Sequence, residues 1–239
     1  MQNVHKRTVM TEEQKLKEMF SLQQKLNDET NGEGWENGYT KQNRMINWRR
    51  CTYMELAELV DSFNWKHWKD INIAPDWDNV KIEVVDIWHF IMSLALEEYK
   101  VGNKGNIDDI VKYVIDSQYF NEFVNEPAPH PEEDIYIIIN TIEHFIKNTL
   151  AGDGFNKLID DFFEVSLQCG VNLHTLFKYY LGKNILNKFR QDHGYKEGTY
   201  KKIWNGKEDN EVMLEILETK PLSANELYNE LKAVYDKLG

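Results

Sequence analysis

Apolar residues recur three and four positions apart along most of the chain, which is the period of a helix that packs on one side. The clearest example is the run Val80, Val84, Ile87, Ile91 and Leu94. Five prolines, at positions 75, 127, 129, 131 and 221, leave long uninterrupted windows between them. The pattern predicts an all-α protein built as a multi-helix bundle.

These windows predict helices over residues 11–29, 45–69, 78–99, 108–125, 132–150, 156–182 and 223–238. Thr11, with Glu13 or Gln14, is expected to open the first helix, and Asp78 to cap the third. Pro75 belongs to the stretch that ends the second helix. The Gly-, Lys- and Tyr-rich residues up to 210 are predicted to form a loop.

The length of 239 residues favours one large domain, assigned to residues 10–239. Its core helices are predicted in residues 11–99 and 156–239, with a smaller, mobile helical lobe over about 100–150. Residues 1–9 precede a second methionine and show no pattern, so they are predicted to be a disordered extension or tag.

Charge and composition exclude several classes of function. With 28 Lys and Arg against 40 Asp and Glu, the net charge of −12 argues against binding nucleic acid or an anionic membrane over a broad face. No apolar run approaches the roughly 20 residues of a membrane span, and no signal segment opens the chain. A cytoplasmic protein is expected. Cys51 and Cys169 are far apart and are predicted to be small buried hydrophobes.

Two pairs of acids carry the first candidate chemistry. Glu55 and Glu58 lie three residues apart on the second predicted helix, and Glu83 and Asp86 lie three apart on the third. Residues three apart share one face of a helix, and both pairs adjoin apolar residues, so both lie at the edge of the core. A short connection between the helices would bring the four carboxylates together, in a metal-binding core of four helices.

Four half-buried carboxylates repel one another and take up protons unless cations neutralise them. Oxygen ligands on helices suit Mg²⁺, which favours carboxylates, waters and substrate phosphates. One alternative is that these are solvated surface acids. A di-iron site is another, but it requires a Glu-x-x-His motif on each of two helices, and only Asp86-x-x-His89 comes close.

A basic segment, residues 178–207, contrasts with the acidic chain. It carries eight basic residues against Asp192 and Glu197, so its charge is +6. Arg190 offers a planar fork for phosphate oxygens, and interleaved aromatic residues and glycines are typical of a loop that closes over a ligand. The alternative is a solvated loop. Carboxylates for a metal together with a cationic loop are what triphosphate chemistry requires.

At this point the residues resemble a known family. Glu55-x-x-Glu58 with Glu83-x-x-Asp86 is similar to the E-x-x-E…E-x-x-D signature of the MazG-like all-α nucleoside triphosphate pyrophosphohydrolases. Within that superfamily, three further stretches resemble the dimeric dUTPases. They are Leu22-Gln23-x-x-Leu26-Asn27, Trp65-Lys66-x-Trp68-Lys69, and the run from Lys183 to Asn210 that contains Phe189-Arg190, Gly194-Tyr195 and Glu208-Asp209-Asn210.

The resemblance implies Mg²⁺-dependent hydrolysis of dUTP, and of dUDP, to dUMP by attack of water at the α-phosphorus, in a homodimer. It implies that two or more metal ions are held by Glu55, Glu58, Glu83 and Asp86, with Glu55 and Glu58 as catalytic residues and Glu58 preferred for activating water. It implies phosphate binding by Lys183, Arg190, Tyr195 and Lys202. It implies binding of the base and sugar by Gln23, Asn27, Trp68 and Asn187.

Two alternatives to a dUTP hydrolase remain open from the sequence. One is a MazG-like pyrophosphohydrolase that acts on a different nucleoside triphosphate. The other is a non-catalytic helical adaptor whose acids are surface charge. An assay of several nucleotides with Mg²⁺ distinguishes the dUTP hydrolase from the other pyrophosphohydrolase. Loss of Mg²⁺ binding on replacement of Glu55 or Glu83 distinguishes both enzymes from the adaptor.

Overall fold

The computed structural model describes residues 10–69, 73–125, 131–220 and 222–238. Within these residues the chain forms ten α-helices and one two-stranded ribbon, which confirms the predicted all-α fold. The helices are α1 (Glu12–Asn31), α2 (Trp48–Asp61), α3 (Trp77–Val101), α4 (Ile107–Ile115), α5 (Phe120–Phe123), α6 (Ile135–Leu150), α7 (Phe155–Gln168), α8 (Leu173–Asp192), α9 (Asp209–Thr219) and α10 (Ala224–Tyr235). Residues 1–9, predicted to be an extension, lie outside the described part.

The helix α3 is the centre of the bundle. It packs against α1, α2, α7 and α8, and nearly every side chain from Val80 to Tyr99 is buried. Trp88, fully buried, stacks on Phe162 of α7 with ring centroids 4.9 Å apart. Because α3 has neighbours on several sides, a buried charged group on it, such as Glu83, needs a partner or a ligand nearby.

The second helix is shorter than predicted. The prediction ran to residue 69, whereas α2 ends at Asp61. The side-chain amide of Asn64 donates to the carbonyls of Ile73 and Ala74, at 2.7 and 2.8 Å, and so holds the following segment away from the helix axis. Trp68, predicted to lie at the end of a helix, is therefore in a turn.

The start of α3 also differs from the prediction. The capping residue is Asp76, whose carboxylate accepts from the backbone N–H of Asn79 at 3.0 Å. Asp78, the predicted cap, lies in the first turn and pairs with Lys81 at 3.0 Å. Both carboxylates face the positive end of the helix dipole, so the sequence alone does not separate the two. At α1, by contrast, the predicted cap Thr11 is confirmed.

Two windows predicted as single helices contain a break. Residues 108–125 form α4 and α5, and residues 156–182 belong to α7 and α8. Between α7 and α8, Gly170 has a φ of +73°, and Asn172 caps α8 by accepting from the N–H of Thr175 at 2.9 Å. The apolar spacing continues across such short turns, which is why periodicity alone joined the helices.

The basic segment is more ordered than a loop. Its first part is the end of α8, and it continues into the antiparallel ribbon of β1 (Ile203–Trp204) and β2 (Lys207–Glu208), followed by α9. Asn205 and Gly206 connect the strands with φ of +52° and +88°, as a two-residue hairpin turn requires. The prediction of a loop is confirmed for residues 193–202, but it was wrong for 183–192, which are helical, and for the hairpin, which Asn-Gly between Trp204 and Lys207 signals.

The region predicted to be a mobile lobe holds α4, α5 and α6. Its helix α6 packs against α2 and α7, and α4 packs against α1. Mobility of this region stays a prediction. Among the described residues, each helix is too short or too polar to cross a lipid bilayer.

Candidate active site

Three glutamates from two helices converge at one end of the bundle core. Glu55 and Glu58 on α2 and Glu83 on α3 each offer a carboxylate oxygen, and these oxygens all lie within 4.8 Å of one another. Glu83 is buried, Glu55 is half-buried and Glu58 is exposed. Asn79, one turn before Glu83, donates to Glu83 Oε1 at 3.1 Å and to the Ser62 hydroxyl at 2.8 Å. The cluster therefore has one buried, braced member and one that faces solvent.

The fourth predicted acid, Asp86, is not part of this group of three. Its Oδ2 accepts from Nζ of Lys183 on α8 at 2.7 Å. Lys183 is 4 % exposed, and a buried ammonium requires an anion close by. The residue before it, Gly182, lets α9 approach α8, since a Cβ there would lie 2.5 Å from Cδ1 of Leu217. Asp86 therefore lies close enough for its charge to act on Glu55 and Glu83, while its own carboxylate is held by a lysine.

Burial is the main cause of unusual acidity in the cluster. It raises the pKa of Glu83 to about 8 and the pKa of Glu55 to about 7, and the negative charge of Asp86 adds to both shifts. The negative charges of Asp86, Glu55 and Glu58 each disfavour ionisation of Glu83. Without a cation the cluster therefore retains protons near neutral pH, and a divalent metal ion is the natural replacement for them.

We expect the metal-free chain to lose thermal stability as pH rises from about 4.5 to about 8. The ordinary pKa of both groups is 4.5, and the folded-state values are about 7 and about 8. In this window the folded chain binds more protons than the unfolded chain, so raising the pH favours unfolding. The contribution is complete below the unfolded-state pKa and is lost above the folded-state values. Melting temperatures in EDTA should fall across the window in the wild type and less steeply in Glu83→Gln; equal slopes would contradict the assignment.

Arg190 and Asp209 form a second buried ion pair, in addition to Lys183 and Asp86. Arg190 on α8 donates from Nε and Nη2 to the two carboxylate oxygens of Asp209, at 2.8 and 2.7 Å. Asp209 is fully buried and also accepts from the hydroxyl of Tyr200 at 2.7 Å. The guanidinium lies over the ring of Tyr195, 5.8 Å from its centroid. Arg190 is thus a buried, oriented cation and not a mobile one.

Asn210 joins the two halves of the site. Its Oδ1 accepts from Nζ of Lys183 at 3.0 Å and from Nη2 of Arg190 at 3.2 Å. A continuous set of hydrogen bonds therefore runs from Asp86 through Lys183, Asn210 and Arg190 to Asp209. Asp86 of α3 and the two cations of α8 are thus joined by hydrogen bonds within one chain.

The predicted amides of α1 form a separate buried cluster. The side-chain nitrogens of Gln23 and Asn27 both donate to the hydroxyl of Ser93, each at 3.0 Å. Gln23 also contacts Asn27, at 3.1 Å, and its carbonyl oxygen lies 2.6 Å from Nδ1 of His89 and 3.3 Å from the hydroxyl of Tyr180. Every one of these side chains is buried.

The remaining predicted residues lie at the margin. Trp68 is 62 % exposed and contacts Trp65 and His67 edge to face. Lys202 is exposed and pairs with Glu208 at 3.0 Å. Asn187, one turn before Arg190, accepts from its Nη1 at 3.3 Å. Trp68 and Lys202 are therefore exposed, and Asn187 is half-buried.

Several residues of the site were missed from the sequence. Asp209 and Tyr200 orient Arg190, and Asn79 braces Glu83, although no chemical role was assigned to them beforehand. Asp209 lay within the stretch that resembled the dUTPases, and Asn79 is four residues before Glu83 on the same helix. His89, interpreted as a hydrogen-bonded histidine near the core and not as a metal ligand, is buried and bonded to Gln23.

Comparison with known proteins identifies the family. Residues 15–195, more than half of the chain, match the family model described as dUTPase. A search of curated proteins finds no match. The matched region contains the three converging glutamates, the Lys183–Asp86 pair and Arg190. The match favours the first of the three functions considered above, an enzyme that hydrolyses dUTP. With a helical fold, a cluster able to hold a divalent cation and buried cations beside it, the chain belongs to the all-α dUTPase family and is a hydrolase of the dUTP diphosphatase class.

Proposed function

We propose that this chain hydrolyses dUTP, and also dUDP, to dUMP in a Mg²⁺-dependent reaction in which water attacks the α-phosphorus. The observation that supports it most directly is the set of hydrogen bonds joining Asp86 to Arg190 through Lys183 and Asn210. Hydrolysis of a nucleotide polyphosphate needs carboxylates for a divalent ion and fixed cations for the phosphates, at contact distance from each other.

Glu55, Glu58, Glu83 and Asp86 would hold Mg²⁺, which when bound withdraws charge from phosphoryl oxygens and lowers the pKa of water. Carboxylate oxygens are the donors that Mg²⁺ prefers, so the residues fit the ion. Glu58 is the exposed member of the three glutamates and can reach solvent. We assign Glu58 the role of general base, which accepts a proton from the attacking water.

The bonds made and broken follow from attack at the α-phosphorus. The oxygen of water bonds to that phosphorus, and the bond from the same phosphorus to the bridging oxygen breaks. Pyrophosphate leaves from dUTP, and phosphate leaves from dUDP. Lys183 and Arg190 neutralise the charge that grows on the leaving group, with Tyr195 and Lys202 at the exposed side of the same segment. Gln23, Asn27, Asn187 and Trp68 bind the base and sugar.

The test is a product assay in ¹⁸O-labelled water with Mg²⁺, using dUTP, dUDP, dTTP, dCTP and UTP in parallel. We expect rapid release of dUMP only from dUTP and dUDP, because the family and the polar amide cluster both favour a uracil base. Attack at the α-phosphorus transfers the label to dUMP and leaves pyrophosphate unlabelled. The matched control is the same panel with EDTA in place of Mg²⁺, in which turnover should be lost.

Three results would contradict the proposal separately. Label in pyrophosphate would place the attack at the β-phosphorus. Equal turnover of dCTP would remove the proposed base selectivity. Full activity in EDTA would show that the reaction does not depend on a divalent metal ion.

We also propose that the protein is a homodimer, as the resemblance to the dimeric dUTPases implies. Tyr136, Ile137 and Leu150 of α6 leave large apolar side chains exposed, which is compatible with a further contact surface. A sedimentation measurement that finds only the 28.4 kDa single chain at assay concentrations would contradict this.

A further inference from the structure

The imidazole of His89, on α3, hydrogen-bonds to the buried amide of Gln23 on α1. His89 is 5 % exposed, and its Nδ1 lies 2.6 Å from Oε1 of Gln23. Its Nε2 is buried and lacks a hydrogen-bond partner among the described residues. A buried ring nitrogen without a partner is unfavourable. The hydrogen bond of the other nitrogen, Nδ1, must therefore offset that cost.

The surrounding hydrogen bonds determine which nitrogen carries the proton. The hydroxyl of Ser93 donates to the carbonyl oxygen of His89 at 2.8 Å, so its lone pairs accept. Both amide nitrogens, those of Gln23 and Asn27, point at that hydroxyl, at 3.0 Å each. The carbonyl oxygen of Gln23 must then face His89, whose Nδ1 donates. Burial lowers the pKa of His89 to about 4, so the ring is neutral and Nε2 carries no proton.

The Nδ1–H group makes one orientation of Gln23 better than the other. As observed, both N–H groups of Gln23 are used, by Asn27 at 3.1 Å and Ser93 at 3.0 Å. Its oxygen accepts from His89 and lies 3.3 Å from the hydroxyl of Tyr180. Rotating the carboxamide by half a turn would set N–H against N–H at His89 and oxygen against oxygen at Asn27. The one proton of the Tyr180 hydroxyl has a closer acceptor in the carbonyl of Met19, at 3.0 Å, so the imidazole is the main donor to Gln23 on that side.

The orientation of these amides matters because uracil and cytosine present donors and acceptors in opposite positions. Uracil presents an N3–H donor beside its O4 acceptor, whereas cytosine presents an N3 acceptor beside an N4 donor. An amide cluster in one orientation matches one base, and the reversed cluster matches the other. We propose that His89 is a positioning residue that, through its Nδ1–H, holds the Gln23 and Asn27 amides in the orientation that reads uracil. This rests on the proposed role of those amides in binding the base.

The test compares His89→Asn with His89→Leu. The side-chain nitrogen of Asn occupies the place of imidazole Nδ1 and can donate, whereas Leu is closer in size to the ring and cannot. The kcat, the KM for dUTP and the ratio of kcat/KM for dUTP over dCTP are measured with Mg²⁺, alongside the melting temperature. In His89→Leu we expect the KM to rise and the ratio to fall, each about tenfold, with little change in kcat, because one directed hydrogen bond to the reading amides is lost.

In His89→Asn the selectivity should stay near that of the wild type. A purely structural role predicts the reverse order, because Asn leaves a larger cavity and buries more polar surface than Leu. Unchanged selectivity in His89→Leu, or equal loss in both variants, would overturn the proposal. If neither variant folds, imidazole ¹⁵N spectra of the wild type decide: Nδ1 protonated and Nε2 bare is required, and the opposite tautomer overturns it.

The failure of this inference is distinct from the failure of the proposed function. If the wild type does not prefer dUTP over dCTP, the base-reading role of the amides is wrong. If the wild type prefers dUTP and the His89→Leu variant keeps that preference, only the role of His89 is wrong.

Discussion

Replacing Glu83 with Gln is expected to lower kcat for dUTP on the order of 10³-fold, since a bound divalent ion contributes several kcal/mol and each ~1.4 kcal/mol is tenfold in rate. Glu83 is the most buried of the three converging glutamates and is held by Asn79. The amide has the same shape but no charge, so it cannot replace the carboxylate as a metal ligand. Steady-state assays with dUTP measure the loss of kcat, and calorimetric titration of Mg²⁺ measures the loss of metal binding.

Stability separates this effect from misfolding. Removing one of several crowded carboxylates should raise the melting temperature in EDTA at pH 8, even as activity is lost. The matched control is Glu18→Gln, the same change at an exposed position of α1, which should alter neither activity nor stability. If Glu83→Gln binds Mg²⁺ and turns over dUTP as the wild type does, the metal assignment is wrong.

The second large effect is expected at Asp209. Asp209→Ala should lower the free energy of unfolding by about 3–5 kcal/mol, because it leaves the buried guanidinium of Arg190 without its partner. Two hydrogen bonds of 2.8 and 2.7 Å are lost, and the hydroxyl of Tyr200 loses its acceptor. Denaturant unfolding, monitored by circular dichroism, gives the difference.

An exposed pair provides the control for Asp209. Lys232 and Asp236 are 2.8 Å apart, with about half of each side chain exposed. Asp236→Ala should cost at most about 1 kcal/mol, the usual range for a surface ion pair. Combining Asp209→Ala with Arg190→Met should recover part of the lost stability but none of the activity, since the stranded charge is removed along with the phosphate ligand. A loss below that of Asp236→Ala would contradict the role of Asp209.

The convergence of acids on α2 and α3 was predictable because it depends on local periodicity. Residues three apart share a face whatever the rest of the chain does, and apolar neighbours fix where that face points. The presence of Glu55, Glu58 and Glu83 in one cluster follows from this rule. The position of Asp86 does not, because it depends on Lys183, which is 97 residues away in the sequence.

The breaks between helices were less predictable. Around Gly170 and after Ile115 the apolar spacing carries on across a turn. The first break has a positive φ at Gly170 and a cap at Asn172, and at the second the hydroxyl of Ser117 donates to the carbonyl of Val114 at 2.6 Å. The end of α2 depends on Asn64 bonding to carbonyls nine and ten residues away. Such contacts form only in the folded chain, so a pattern of residue types cannot specify them.

The basic segment shows the same limit for chemistry. Its charge made Arg190 a candidate phosphate ligand, but charge does not reveal burial. The pairing with Asp209 converts a residue expected on a mobile loop into a fixed one, and Tyr200 completes it. Likewise, the amides of Gln23 and Asn27 were assigned to the base, whereas Ser93 and Tyr180, which orient them, come from α3 and α8 and left no local signal.

The partners of the two buried cations have a practical consequence for choosing where to truncate this protein. The family match stops at residue 195, but the acceptors Asp209 and Asn210 come after it. A fragment cut at the limit of the match would keep Arg190 and lose its counter-ion, and Lys183 would lose one of its two acceptors. Expression boundaries drawn from sequence similarity would therefore separate these buried cations from their acceptors, so a shortened version has to extend through the hairpin and into α9.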